Sequence, residues 1–164
     1  NYLRRAKTMI ADGVAPAVEP LDPTEAMASG AQQAIVRALG RTYGVHVAPR
    51  ISEQPLQVAL GAYVGPMDPE EKVVAVYDQT LSSSGDRGIL LTDRQIFSSS
   101  RPKKGVFFRD VARMTRTGGG ILTGPGLKVE GLDLRFHTRA VRDAFTESIS
   151  EAAAAFRGEA PAVD

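Results

Sequence analysis

The strongest constraint on the fold comes from the segment between Lys72 and Phe156. Short stretches of β-branched, aromatic and leucine residues follow one another there, separated by polar or glycine-rich turns. Turn signals about every eight to twelve residues are typical of a β-barrel or β-sandwich. The pattern predicts a strongly bent antiparallel sheet of about seven short strands. Two of these strands are expected at Val111–Arg116 and Ile121–Thr123.

An amphipathic helix is predicted directly after these strands. Thr138 precedes it as an N-cap residue, and Gly158 ends it. One face of the helix carries Val141, Phe145, Ser148, Ile149, Ala152 and Phe156. Burying the large apolar side chains of this face contributes roughly 1.5–3 kcal/mol each. We therefore expect the helix to dock against the sheet and cap one end of it.

The first part of the chain has a helical pattern. We expect a helix at Thr24–Tyr43 with Gly44 as its C-cap and a second helix at Gln54–Val64. A short extended piece is expected between them at Val45–Val47. An earlier amphipathic stretch, residues 2–12, is joined to this region by a proline-rich linker. The predicted class is α+β: a helical extension at 1–69, a bent β-domain at 70–157 and a tail at 158–164.

The composition excludes several kinds of chemistry. The 164 residues include no cysteine, so disulfides, thiolate metal ligands and thiol catalysis are excluded. No stretch approaches the roughly 18 consecutive apolar residues of a membrane-spanning helix. Residues 72–157 hold 14 Lys and Arg against 9 Asp and Glu, a net charge of +5. This charge favours acidic partners or an anionic membrane surface, although an arginine-rich surface without directed use is the plainer explanation.

The order of several motifs resembles that of bacterial pleckstrin-homology-like domains. The motifs are EKVV at 71–74, GILLTDRQI at 88–96 and VFFRDV at 106–111, followed by the C-terminal helix. The strand that ends in Leu-Thr-Asp, with a tight turn and a returning strand, is the strongest part of the resemblance. The resemblance covers about residues 70–157. It implies a bent sheet plugged by a helix, and a role in binding lipids, peptides or proteins, or in self-assembly.

The resemblance also directs attention to basic loops. Lipid-binding relatives carry Lys and Arg in the loop after the first strand, but here residues 81–86 contain none before Arg87. A basic cluster occurs later, at Arg101, Lys103 and Lys104. These three residues are the predicted lipid- or anion-binding site, at about 1 kcal/mol per charge near an anionic membrane. The alternative is a solvated loop without a ligand.

The remaining motifs predict no reaction chemistry. The glycine-rich run at 118–126 lacks the Gly-Lys-Ser/Thr ending of a phosphate-binding loop and is better explained by hairpin turns. His46 and His137 lie in different halves without metal-ligand spacing. Tyr77 and Phe108 are the aromatic residues left for a base-stacking surface, too few for nucleic-acid binding. We predict no enzyme activity, metal, cofactor or nucleic-acid partner.

We therefore expect a non-catalytic adaptor that binds a partner protein or self-associates. An exposed sheet edge, or the surface where the N-terminal helices meet the sheet, is the expected interface. The alternative is peripheral attachment to an anionic membrane through Arg101, Lys103 and Lys104. The expected location is the cytoplasm, at the inner face of a membrane under the alternative.

Overall fold

A computed structural model describes residues 22–80, 85–118, 120, 122 and 124–158. Within these residues the helices are α1 (Pro23–Leu39), α2 (Glu53–Ala62) and α3 (Arg139–Phe156). The strands are β1 (Val45–Val47), β2 (Val73–Asp78), β3 (Gly88–Thr92), β4 (Gln95–Ser98), β5 (Val106–Phe107), β6 (Met114–Thr117), β7 (Gly126–Val129) and β8 (Leu132–Arg135). The helix predicted at 2–12 lies outside the described residues, as do Ile121 and Thr123 of another predicted strand.

The strands form two antiparallel sheets. The first has the order β1-β2-β3-β4-β5 and the second the order β6-β7-β8. The predicted α+β class and the C-terminal helix are confirmed, but the described strands do not close into a barrel. The ladder is interrupted between β5 and β6, because β5 has two residues and a 3₁₀ turn follows at Phe108–Asp110.

The first sheet is covered on both faces. Every residue of β3 and β4 is buried, so the run GILLT carries apolar residues continuously rather than in alternation. On one face, Ile89 and Leu91 join the main core formed with α1, α3 and the second sheet. On the other face, Leu90 packs in a smaller cluster with Ala59 and Tyr63 from α2 and the turn after it.

α3 contributes its apolar stripe to the main core, as predicted. The hydroxyl of Thr138 accepts a hydrogen bond from the Val141 N–H at 3.2 Å, which caps the first turn. The ring of Phe145 lies 5.6 Å from that of Tyr77 and 5.1 Å from that of Phe136. These aromatic contacts join α3 to both sheets, since Tyr77 belongs to β2 and Phe136 follows β8.

α1 packs closely against α3. A Cβ atom on Gly30 would lie only 3.3 Å from the Cβ of Ala155, so the glycine permits a close helix–helix approach. The helix predicted at Thr24–Tyr43 begins one residue earlier and ends at Leu39, with Gly40 as its C-cap. Because glycine is a poor helix former, the helix ends at Gly40 rather than at Gly44.

The predicted boundary at residue 70 separates two strands that pair with each other. His46 of β1 lies opposite Val76 of β2, and the Ala48 N–H donates to the Val74 carbonyl at 2.8 Å. The segment before residue 70 therefore supplies an edge strand of the first sheet. Together with the packing of α1 on α3, this pairing joins the helical segment to the β-rich half.

β6 begins later than predicted. The pattern favoured a strand at Val111–Arg116, whereas the strand spans Met114–Thr117. The N–H groups of Ala112 and Arg113 donate to the carboxylate of Glu130 at 3.0 and 2.9 Å. Because the Glu130 side chain accepts the hydrogen bonds of both N–H groups, regular backbone pairing with β7 starts only at Met114.

Candidate functional site

The predicted anion-binding residues differ in their environments. Arg101 and Lys104 are exposed and lie in the loop after β4. Arg101 places Nη1 beside the β7–β8 turn, 3.4 Å from the position that a Cβ on Gly131 would occupy. Neither residue has a carboxylate within ion-pair distance in the described part of the chain, so both remain available to an anion.

Lys103 has a structural partner instead. Its Nζ donates to the carbonyl oxygens of Leu60, Gly61 and Val64 at 3.3, 2.8 and 3.1 Å. These carbonyls lie at the C-terminal end of α2, where a cation is favoured by the helix dipole. Its backbone N–H also donates to the Tyr63 carbonyl at 2.8 Å. Lys103 therefore fastens the loop to α2, a role that requires the three-dimensional structure to recognise.

The LTDRQ motif forms a buried polar turn between β3 and β4. The Thr92 hydroxyl donates to Glu71 and accepts from the N–H groups of Arg94 and Gln95 at 3.0 and 2.9 Å. Gln95 Nε2 donates to the second oxygen of Glu71 at 3.0 Å. Asp93 accepts a hydrogen bond from the Lys72 N–H at 3.1 Å. These side chains satisfy one another, so the turn is a structural fastening of β2, β3 and β4.

The other candidate residues do not converge on one site. His46 Nδ1 lies 3.5 Å from the hydroxyl of Ser52, and the His137 backbone N–H donates to the Tyr77 hydroxyl at 3.0 Å. No carboxylate hydrogen bonds to either imidazole among the described residues. Tyr77 and Phe108, the remaining candidates for base stacking, are buried in the core. Among the described tyrosine and phenylalanine residues the exposed one is Tyr43, which was expected at the end of the helix predicted at Thr24–Tyr43.

The edges of the two sheets show where the structure has unused hydrogen-bonding capacity. At β1 the Val45 N–H donates to the Thr42 carbonyl and the Val47 carbonyl accepts from the Arg50 N–H, at 3.3 and 2.9 Å. Turns thus occupy part of this three-residue edge. β5 is shorter still, with two residues. Neither strand offers a long template for pairing.

The outer edge of β8 is occupied by side chains from the first sheet. The Asp133 N–H donates to the Ser100 hydroxyl at 3.2 Å. The Arg135 carbonyl accepts from Gln79 Nε2 at 2.6 Å. These bonds take an outward-facing donor and an outward-facing acceptor of β8, so this edge is occupied in part.

β6 differs from these edges. The backbone groups that it directs away from the sheet can be identified from the hydrogen-bond pattern of the β7–β8 hairpin. Glu130 and Gly131 form a two-residue turn with φ values of 45° and 88°, which is typical of a type I′ turn. In such a hairpin the flanking residues, Val129 and Leu132, exchange both backbone hydrogen bonds. Successive residues of a strand direct their backbone N–H and C=O groups to opposite sides, so those of Lys128 point toward β6.

The same alternation assigns the groups of β6. Thr115 and Thr117 lie opposite Lys128 and Gly126 and use their backbone N–H and C=O groups toward β7. Met114 and Arg116 therefore direct theirs away from the sheet. Within the described ranges, no hydrogen bond reaches the backbone of β6 from that side. β6 is thus a four-residue edge that is open with respect to the described residues.

The charge around this edge is positive. Arg113 is exposed before the strand, and Lys128 is exposed on β7. Neither has a carboxylate within ion-pair distance in the part of the chain that the structure describes. Arg116 lies 3.6 Å from Asp143. Hydrogen bonds from the N–H groups of Arg113 and Ala112 lower the pKa of Glu130, whose carboxylate is thereby committed to the loop.

Among the described residues, no cluster of three or more His, Asp or Glu side chains is arranged to hold a metal ion. None of the helices there is both long enough and apolar enough to cross a membrane. The open edge of β6 is therefore the candidate site that the geometry supports best. No protein-family model, curated protein or solved structure matches the chain.

Proposed function

We propose that this protein is a non-catalytic interaction module that binds an extended segment of a partner protein as an added strand on β6. The observation that carries the proposal is the open edge itself. Backbone N–H and C=O groups on an unpaired strand are a ready template for another extended chain. The other sheet edges are short or occupied by turns and side chains, so β6 offers the longest free template.

The charge near β6 favours an acidic partner. Arg113, Arg116 and Lys128 surround the strand, while Glu130 is engaged with the loop before it. Self-association by pairing two β6 strands brings the basic side chains of both copies together, which is unfavourable. A partner segment that alternates acidic with β-branched residues avoids this repulsion. We therefore favour binding to a different protein over pairing of two copies.

A finer assignment of the fold supports the same role. We propose that β2 to β8 and α3 form a pleckstrin-homology-like domain, with β1 and α1 as additions. The seven strands β2 to β8, followed by the C-terminal helix, agree with the seven strands and the helix that the sequence pattern predicts. The GILLTDRQI motif supplies β3, the buried turn and the start of β4. Domains of this kind are typically binding modules rather than enzymes.

Membrane attachment is the second candidate function. The exposed side chains of Arg101 and Lys104 support it, whereas the ammonium of Lys103 is already bound by carbonyl oxygens. Sedimentation with phosphatidylserine vesicles at low salt tests this alternative. Salt-sensitive binding that is lost when Arg101 and Lys104 are both replaced by Ala supports membrane attachment. Absence of sedimentation at low salt removes it.

A matched pair of substitutions tests strand addition at β6. Arg116→Pro removes the outward N–H, and proline is tolerated at such a position of an edge strand. Arg116→Thr keeps the N–H, and both variants lose the Asp143 contact and the positive charge equally. The probe is a fluorescein-labelled peptide of alternating glutamate and valine, followed by fluorescence anisotropy.

We expect the Arg116→Pro variant to bind this peptide at least about tenfold more weakly than the Arg116→Thr variant. A peptide with lysine in place of glutamate is expected to bind weakly to both. Equal affinities of the two variants for the acidic peptide would contradict strand addition. Circular dichroism on each variant establishes that both retain the fold.

A further inference from the structure

A separate groove lies where the turn after α1 meets the start of α3. It has a volume of about 480 Å³ and is lined by residues that include Arg41, Tyr43, Tyr77, His137 and Val141. This volume falls within the range of about 300–1,000 Å³ that is typical of small-molecule sites. The lining combines aromatic and aliphatic surface with few polar groups, as ligand sites commonly do.

Tyr77 gives the groove a buried hydrogen-bond donor. The residue is 1% exposed, and its hydroxyl accepts a hydrogen bond from the His137 N–H at 3.0 Å. Among the described residues no acceptor takes the hydrogen of the hydroxyl itself. Burial raises the pKa of Tyr77, with the nearby Asp78 adding to the rise, so the phenol remains protonated near neutral pH. A ligand oxygen in the groove would satisfy this donor.

Arg41 supplies a positive charge at the same groove. It is exposed, and no ion pair or side-chain hydrogen bond engages its guanidinium in the ranges that the structure describes. Asp78 also lines the groove. One oxygen of its carboxylate accepts two hydrogen bonds from Thr80, at 2.8 and 2.5 Å, and the other oxygen is buried without a hydrogen-bond partner among the described residues. Of these two charged residues of the groove, Arg41 is exposed and Asp78 is half-buried, so a ligand entering from solvent first meets the charge of Arg41.

Tyr43 adds an exposed aromatic ring. The residue is 95% exposed although it borders an apolar groove. It lies in the turn between α1 and β1 and does not contribute to either hydrophobic core. An aromatic ring in this position gains contact area, and edge or offset stacking, when a planar apolar ligand occupies the groove.

From these observations we propose that the groove binds a small aromatic carboxylate. The ring of the ligand lies against Tyr43 and Val141, and its carboxylate accepts hydrogen bonds from Arg41 and the Tyr77 hydroxyl. The guanidinium and the phenol are both donors, so an anionic group with two acceptor oxygens matches them. This site is distinct from β6 and does not depend on the strand-addition proposal.

The test uses 2-naphthoate and its neutral counterpart 2-naphthamide with the full ¹⁵N-labelled chain. NMR titration follows the backbone amides of Gly44 and Thr138, which line the groove. We expect 2-naphthoate to shift both amides with a Kd of about 1 mM or tighter. We expect 2-naphthamide to bind about tenfold more weakly, because it lacks the charge that pairs with Arg41.

Arg41→Gln and Arg50→Gln form the matched pair of variants. Both arginines are exposed, but Arg50 does not line the groove. We expect Arg41→Gln to weaken 2-naphthoate binding about tenfold and to leave 2-naphthamide binding unchanged. Arg50→Gln is expected to leave both affinities unchanged. Equal binding of acid and amide, equal effects of the two variants, or no shifts at these amides would overturn the proposal.

Discussion

Arg94 of the β3–β4 turn donates a hydrogen bond to the carboxylate of Glu25 in α1, 69 residues earlier in the chain. The Arg94 side chain is 10% exposed, and its guanidinium lies 3.6 Å from the Asp68 carboxylate and 3.8 Å from that of Asp93. One nearly buried cation therefore joins α1, the segment before β2 and the turn. The N-terminal helix is fastened to the sheet by charge as well as by apolar packing.

This arrangement predicts unequal effects for the two partners. Arg94→Leu leaves several carboxylates near one another without their counter-ion, and we expect a loss of about 3 kcal/mol in unfolding free energy. Glu25→Gln leaves Arg94 close to Asp68 and Asp93, and we expect a loss of about 1 kcal/mol. Urea unfolding measures both. Equal losses would contradict the shared role of the guanidinium.

Lys103 and Lys104 offer a comparison of neighbouring lysines. Lys103→Met removes the ammonium that bonds the carbonyls at the end of α2, so we expect a loss of about 1 kcal/mol. Lys104 is exposed and has no such partner in the described residues, so Lys104→Met is expected to change stability by less than about 0.5 kcal/mol. Thermal unfolding of the two variants decides whether Lys103 is structural. Indistinguishable midpoints would contradict the assignment.

Asp93 predicts a dependence of stability on pH. Burial raises its pKa, although the Lys72 N–H and the Arg94 charge oppose the rise. Because the folded-state pKa lies above the unfolded value, the protonated form favours folding. That contribution is present below the ordinary Asp pKa of about 4 and is lost as the pH rises through the raised value.

Asp93→Asn removes this titration and keeps an acceptor for the Lys72 N–H. We expect the unfolding free energy of the variant, relative to that of the wild type, to increase between about pH 3 and about pH 7, so that the variant becomes relatively more stable. Urea unfolding at both pH values measures the difference, with the exposed Asp110→Asn as control. A relative stability that falls over this interval would contradict the cause assigned to the pKa.

Local patterns were sufficient for much of the fold. The period of the C-terminal stripe and the Thr138 cap predicted α3, since both depend on residues within a few turns. The GILLTDRQI motif predicted β3, the turn and β4, because a tight turn and apolar strands are local features. The pairing of β1 with β2 was not predicted, because it depends on residues about thirty positions apart and closes a long loop.

The site was less accessible to sequence reasoning. Lys103 looks like Lys104 in sequence, and only the position of α2 distinguishes their partners. Whether β6 has a free edge depends on which backbone N–H groups donate to the Glu130 carboxylate. It also depends on the β7–β8 turn, which determines which residues of β6 direct their backbone groups toward β7. Tyr43 was expected in the helix predicted at Thr24–Tyr43. The helix ends at Leu39, which leaves the Tyr43 ring exposed. Each outcome depends on where the chain breaks its local pattern.

The free edge of β6 can be measured directly by amide hydrogen exchange of the unbound protein. We expect slow exchange for the N–H groups of Thr115 and Thr117, which face β7. We expect fast exchange for those of Met114 and Arg116, which face away from the sheet. Protection of the Arg116 amide equal to that of Thr115 would mean that the edge is already paired, and would contradict the proposed binding surface.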